Sequence, residues 1–345
     1  MSTSTASVSI VIPTLRRPGP LACALASAQA QTGVSGVEIV VVDNDPEGSA
    51  RAHVEQAKGP FPVRYISVPE PGIANARNAG VAASKGALIA FLDDDEDAPA
   101  HWLRTLMKTR IEHDADAVFG PVCTRLPEHI ERHRAYFLRF FGREGPSSSG
   151  SIDHAYGCGN SLVVRAALPS AQPFSAARNT TGGEDDLLFA TMKAKGARFA
   201  WAAEAFVWEE PVTQRVTLAY TLKRAFAYGQ GPCSAAFAAG PARWPLIPLW
   251  SLVGVAQALG WSAIAAFRAA TGGDHLAEAL DAAARGLGKL LWFPPFKIGF
   301  YGQGTLVAGA AKIARGPAHD RHQPLERGAA GDLRQGEPRL RSRPA

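Results

Sequence analysis

Residues 86–99, "GALIAFLDDDEDAP", run an apolar strand directly into five consecutive carboxylates, Asp93 to Asp97. Adjacent like charges repel, and acids beside a core cost stability unless a cation or open water meets them. A second acidic group, Glu184-Asp185-Asp186, follows the glycine pair Gly182-Gly183. Acids there suit the dipole of a helix N-terminus, and two glycines also permit close approach of a substrate. Shorter polar endings close two other apolar runs: Pro13-Thr14 after "VSIVI" and Asp43-Asn44 after "VEIVVV". Carboxylates in such places can hold a divalent cation or move a proton. By residue type alone a solvated loop is an equal alternative.

The elements that position these groups are legible. "VSIVIPT" (8–14), "VEIVVVDND" (37–45), "VRYISV" (63–68) and "ALIAFLDDD" read as strands, and continuous β-branched runs are the look of buried parallel strands. Helices are expected over about 18–32, through Ala50-Val54, and over 73–84 after the turn Pro71-Gly72. Such alternation builds a parallel sheet with right-handed crossovers, and ligands on it bind beyond the carboxyl ends of the strands. Pro13-Thr14, Asp43-Asn44 and Asp93-Asp95 all stand at such ends. Further on, strands are expected at 117–122, 157–165 and 197–210, a mobile Gly/Ser-rich loop at 142–151, and a helix after the 182–183 glycines.

The chain has 345 residues, 46% apolar and 19% charged, with a net charge of +5. This is globular composition. A net positive charge suits phosphorylated small molecules, anionic lipid or nucleic acid alike, but the basic residues are spread out and the aromatic ones gather towards the C-terminus, so nucleic acid is not expected. Four separated cysteines without a CxxC pair suggest a reducing compartment, and "MSTSTAS" lacks the features of a secretory signal. Trp244 to Phe267 carries no charge, between Arg243 and Arg268. Its length suffices to cross a bilayer, while its prolines and Gln257 equally suit an interfacial segment. The division expected is a domain over 1–240, an apolar helical segment over 241–314 and a disordered basic tail over 315–345.

Taken in order, "VSIVIPT", "VEIVVVDND", "GIANARNAG", "FLDDDE" and "GGEDDLLF" resemble the inverting glycosyltransferases of family 2. Within that family the likeness is to bacterial enzymes that build exopolysaccharide repeat units, of the succinoglycan type. The resemblance implies a GT-A fold: a Rossmann-like α/β mixed sheet flanked by helices, here with an apolar helical extension. It implies transfer of one sugar from a nucleotide-sugar, UDP-linked by family habit, to a saccharide acceptor carried on polyprenyl diphosphate at the cytoplasmic face of the inner membrane.

The resemblance also distributes roles. Asp95 is expected on a Mn²⁺ or Mg²⁺ ion, with Asp93 near the ribose and Asp94 between them as the variable member of the DxD motif. Pro13 and Thr14 would line the nucleoside pocket, Asp43 would read the base with Asn44 beside it, and Arg77 would reach the diphosphate. Asp185 is the expected general base, with Glu184 as runner-up and Asp186 helping the helix start. Asp97 is expected to face solvent or begin the next helix. Arg16 and Arg17 read as surface residues, and Arg215 and Arg224 either as phosphate ligands or, equally, as ordinary basic residues of an amphipathic helix. Two departures from the family pattern bear on mechanism. "QRVTLAY" stands where processive synthases carry QxxRW, which favours single transfer, and "FVWEEPV" lacks a histidine, so either Glu209 substitutes as third metal ligand or there is no third protein ligand. The rivals are a nucleotide-sugar-binding protein without catalysis and a Rossmann oxidoreductase; the second lacks GxGxxG after the first strand.

Overall fold

The computed structural model describes residues 7–179 and 182–298. The first hundred residues fold as read. Strands β1 (Val8–Thr14), β2 (Val37–Asp43), β3 (Val63–Ser67) and β4 (Leu88–Phe91) alternate with helices α1 (Pro18–Gln29), α2 (Arg51–Gln56) and α3 (Ile73–Ala83). All four strands run parallel, in the order β3-β2-β1-β4. The alternation of side chains decides the two layers. Val8, Ile10 and Ile12 point to one face of the sheet and Val11 to the other, as the period of two requires.

Beyond β4 the chain forms β5 (Glu96–Asp97), α4 (Trp102–Glu112), β6 (Ala117–Phe119), β7 (Val122–Thr124), α5 (Arg134–Phe141), β8 (Gly150–Ile152), β9 (Ser161–Val164), α6 (Glu184–Ala194), β10 (Phe199–Trp201) and β11 (Val207–Glu209). Among the described residues the main sheet has eight strands, extended past β4 by β9-β6-β10-β8, with β9 antiparallel to both its neighbours. The sheet is therefore mixed. The segment 197–210, read as one strand, is two. Ala202 donates its N–H to the Phe119 carbonyl, a turn closes from Ala205 to Ala202, and β11 leaves to join a small sheet in the order β5-β11-β7. That small sheet places Glu209 directly opposite Glu96. The 142–151 stretch, expected to be mobile, is pinned instead. Gly145 packs under the Trp201 ring, Trp201 Nε1 donates to the Pro146 carbonyl at 2.8 Å, and β8 pairs with β10.

Three long helices follow: α7 (Leu218–Ala238), α8 (Leu246–Thr271) and α9 (Leu276–Leu290). They pack on one another through glycines, because only bare backbone lets helices approach this closely. A Cβ on Gly288 of α9 would collide with the Phe226 carbonyl of α7, and one on Gly286 would stand 2.6 Å from the Ala258 nitrogen of α8. The packing groups α7, which lies before residue 240, with α8 and α9. Tyr136 of α5 donates to Asp281 of α9 at 3.0 Å, and Arg139 pairs with Glu278, so the bundle is tied to the sheet domain through α5. The expected 315–345 tail lies outside the described residues.

Candidate active site

Three strand ends and the start of α6 bring the acidic groups to one side of the sheet. Thr14 closes β1 and is buried; its hydroxyl donates to Asp94 Oδ2 at 2.7 Å. Pro13, one residue earlier, is buried in the strand. Burial, with the neighbouring Asp95 carboxylate adding to it, pushes the Asp94 carboxyl up to about 6 although Arg17 pulls the other way. Arg17 is not the surface residue expected from sequence. Its Nη1 donates to Asp94 Oδ1 at 2.8 Å and to Asp95 Oδ2 at 2.7 Å. The reason is topological: the β1–α1 loop and the β4–β5 loop lie side by side because β1 and β4 pair. Arg16 does stay at the surface, 45% exposed, and reaches Asp45 at 3.0 Å.

Asp43 is fully buried. Its carboxylate accepts from the Asp45 and Ala50 backbone N–H groups and from the Tyr65 hydroxyl, at 3.0, 2.8 and 3.0 Å. Asn44 is likewise engaged, donating to the Val68 and Glu70 carbonyls and accepting from Gly72 N–H. Both residues stand at the expected strand end, where they hold the 44–50 loop and the entry to α3.

Arg77 on α3 is buried between acids. It donates to Glu184 at 2.6 Å and to Asp93 at 3.3 Å, while its Nε has no partner among the described residues. Here it ties the strand end at Asp93 to the start of α6. The two residues of the ED pair are thereby separated in role. Glu184 is buried and paired with Arg77; burial raises its carboxyl pKa while Arg77 opposes the shift. Asp185 is half-buried, its Oδ2 accepting Cys158 N–H at 3.1 Å. Gly182 and Gly183, at φ 75° and 77°, make the left-handed turn that delivers α6 to this place.

Sequence reasoning missed the floor of the site. Glu96, left without a role by sequence, is buried and accepts N–H bonds from Asp93 at 2.9 Å and Asn160 at 3.2 Å. Burial pushes its carboxyl well above the usual range, and Asp93 adds to this. Asn160, at φ 49°, binds Trp102 Nε1 and the Pro121 and Ala205 carbonyls, with no exposed surface. A Cβ on Gly159 would collide with the Asp93 carboxylate and stand 2.9 Å from Glu96 Oε1, so a side chain there would displace both acids. Arg143 donates to the Gly157 and Gly159 carbonyls at 2.9 and 2.7 Å. The signal available in sequence was "GCGN", a run of small residues with an asparagine able to adopt φ > 0. Asp97, half-exposed, pairs with Arg125 from β5, not from a helix start. Arg215 is exposed in a short turn before α7, and Arg224 lies on α7 against Tyr228; neither joins the acidic cluster.

The family model for glycosyl transferase family 2 matches residues 9–169. The succinoglycan biosynthesis protein ExoM of Rhizobium meliloti is 34% identical over 237 residues, which are 67% of this chain and 75% of that protein. The chain belongs to glycosyltransferase family 2. Chondroitin synthase of Escherichia coli is 28% identical over 139 residues, 40% of this chain and 20% of that protein. The structure of Staphylococcus aureus TarS residues 1–349 with UDP aligns at a TM-score of 0.47 and 16% identity, covering 64% of each chain. The mixed sheet with flanking helices is the GT-A arrangement implied for a family 2 enzyme, and the chain is a glycosyltransferase.

Family 2 enzymes are commonly dependent on a divalent metal. Among the described residues no three His, Cys, Asp or Glu side chains gather as a metal cage. The donor chemistry nevertheless suits Mg²⁺ or Mn²⁺, which take hard carboxylate oxygens and fill the remaining positions with substrate phosphate and water. Asp95 would offer one such carboxylate. Glu209 would offer a second; burial first, then the Asp95 and Asp93 carboxylates, pushes it up to about 8.

Proposed function

We propose that this glycosyltransferase transfers one sugar, with inversion, from a UDP-sugar to a saccharide on a polyprenyl-diphosphate carrier, in the building of a bacterial exopolysaccharide. The observation that carries the reading is the division of labour between the acidic groups. Asp93–Asp95 lie at the strand end with Thr14 and Arg17, while Asp185 stands separately on α6, half-open and held by Cys158 N–H. The ExoM likeness supports the exopolysaccharide context, and the family resemblance supports UDP. Asp95 with Glu209 would hold the Mg²⁺ or Mn²⁺ ion, which when bound offsets charge on the leaving diphosphate. Thr14 orients Asp94, and Arg77 with Cys158 fixes the spacing between Asp93 and Asp185. Asp185 takes the proton of the acceptor hydroxyl as that oxygen attacks the anomeric carbon; the bond to the diphosphate breaks and its electron pair leaves with the phosphate. A panel of nucleotide sugars with and without Mn²⁺ tests the donor. A matching UDP-sugar should raise the melting temperature more in the presence of Mn²⁺, and the product should be inverted. Binding without transfer to any acceptor would favour the catalytically silent reading.

We further propose that α8 docks the enzyme on the cytoplasmic face of the membrane, and that the unit so docked begins at α7. Leu249, Leu252, Leu259 and Phe267 are 55–70% exposed, while Gly254, Ala258 and Ala265 are buried. At 100° per residue the exposed four share the outer side and the buried three face the bundle. No charge interrupts the helix between Arg243 and Arg268, and α8 is long and apolar enough to cross a membrane. Because α9 lies along its inner side carrying Asp281, Arg285 and Lys289, an interfacial placement suits it better than a span, with apolar flank in lipid and charges above. Leu252→Glu with Leu259→Glu should cut co-sedimentation with anionic vesicles more than tenfold at unchanged helicity. Equal sedimentation of this variant and wild type would refute the docking face.

A further inference from the structure

The cations around the acidic cluster are not equivalent. Arg77 is buried between Glu184 and Asp93, Arg143 is spent on the Gly157 and Gly159 carbonyls, and Arg16 is held by Asp45. Arg17 differs. A single nitrogen, Nη1, serves both Asp94 and Asp95. Its Nε and Nη2 donate to no described residue and are not buried unpaired atoms, so they face solvent from a side chain 25% exposed. The backbone beneath is anchored: Pro18 begins α1 and Leu21 N–H binds the Arg17 carbonyl. The side chain can therefore swing while its Cα stays in place.

We propose that Arg17 is an exchangeable counter-ion of the donor site. Without donor its guanidinium bridges Asp94 and Asp95; when a nucleoside diphosphate arrives with a divalent cation, Arg17 yields Asp95 to that cation and turns its free N–H groups onto the phosphate oxygens. This rests on the donor-site reading above. The physical grounds are two. A guanidinium and a divalent cation on one carboxylate repel, so both cannot remain there at full strength. A planar fork with unused N–H groups is suited to phosphate, whose oxygens it can bind in pairs. Asp94 stays in place during the exchange because Thr14 keeps its own bond to Oδ2.

The exchange makes two affinities move in opposite directions, which a merely structural arginine would not do. In Arg17→Gln the competitor is gone, so Mn²⁺ alone, followed by the loss of its free EPR signal, should bind about tenfold more tightly than to wild type. UDP titrated at saturating Mn²⁺ should bind at least tenfold more weakly, as charged hydrogen bonds are lost. Arg17→Lys keeps the charge and should stay within about threefold of wild type for Mn²⁺ alone while still binding UDP less well. Weakening of both ligands in Arg17→Gln, or no change in Mn²⁺ affinity, would overturn the exchange. If wild type itself binds neither Mn²⁺ nor UDP, the donor-site reading fails, and the exchange with it.

Discussion

Asp185→Asn is expected to bind UDP-sugar and Mn²⁺ like wild type and to transfer ~10²–10⁴-fold more slowly, the usual cost of removing a general base. The substitution is nearly isosteric, and the amide oxygen it introduces can still accept Cys158 N–H, so α6 keeps its position against the turn before β9. What is lost is the capacity to take a proton. Glu184→Gln should behave differently. That residue is buried and paired with Arg77, so its loss leaves the buried guanidinium with only the longer contact to Asp93 as its charged partner and lowers the melting temperature. Single-turnover transfer alongside thermal melting separates the two. Near-normal transfer by Asp185→Asn beside a dead but well-folded Glu184→Gln would reverse the assignment, and a retained anomeric configuration would rule out a single displacement.

The second large effect is at Asp95. Asp95→Asn should abolish turnover, remove the tightening of UDP binding by Mn²⁺, and leave the fold intact, since the side chain is partly exposed and its one described partner is Arg17. Asp97→Asn is the control two residues away. Its carboxylate meets the half-exposed Arg125, a surface pair of small worth, so activity should stay within about twofold. Isothermal titration of UDP with and without Mn²⁺ reads the difference; equal metal dependence in wild type and Asp95→Asn would remove Asp95 from the cation site.

The half of the fold that sequence made legible is the half built from buried parallel strands. There the β-branched runs at 8–14 and 37–43 leave few alternatives, and their polar last residues mark the ligand side. The two acidic groups, Asp93–Asp95 and Glu184–Asp186, were legible because each lies beside an element end with an unusual charge density, while the roles expected of Asp95 and Asp185 within them came from the family resemblance. What escaped was long-range. Arg17 meets its partners 77 and 78 residues away, and nothing in "LRRPG" distinguishes it from Arg16. Asn160 gathers groups from four separate segments, a role that exists only after β9, β11 and α4 are assembled. The break in 197–210 was hidden because "AWAAEAFVW" has strand-like ends and a helix-like middle, so local preference did not mark where the chain changes sheets. The Gly/Ser-rich 142–151 loop misled in the opposite sense. Small residues there let Trp201 close over the chain, and flexibility of composition became tightness of packing.

The tie between α9 and α5 limits how such an enzyme can be rebuilt. Asp281 and Glu278 grip Tyr136 and Arg139 of α5, and two residues past the end of α5 Arg143 holds the Gly157 and Gly159 carbonyls beneath Asp93. The helical bundle and the floor of the acidic cluster thus share one short piece of chain. Exchanging the C-terminal helices for those of a homologue, to move the enzyme to another surface or carrier, cannot be done by cutting at the last strand. The graft has to bring α5 and its arginine along, or the new bundle will be seated on a foreign socket whose other end is the floor of the acidic cluster.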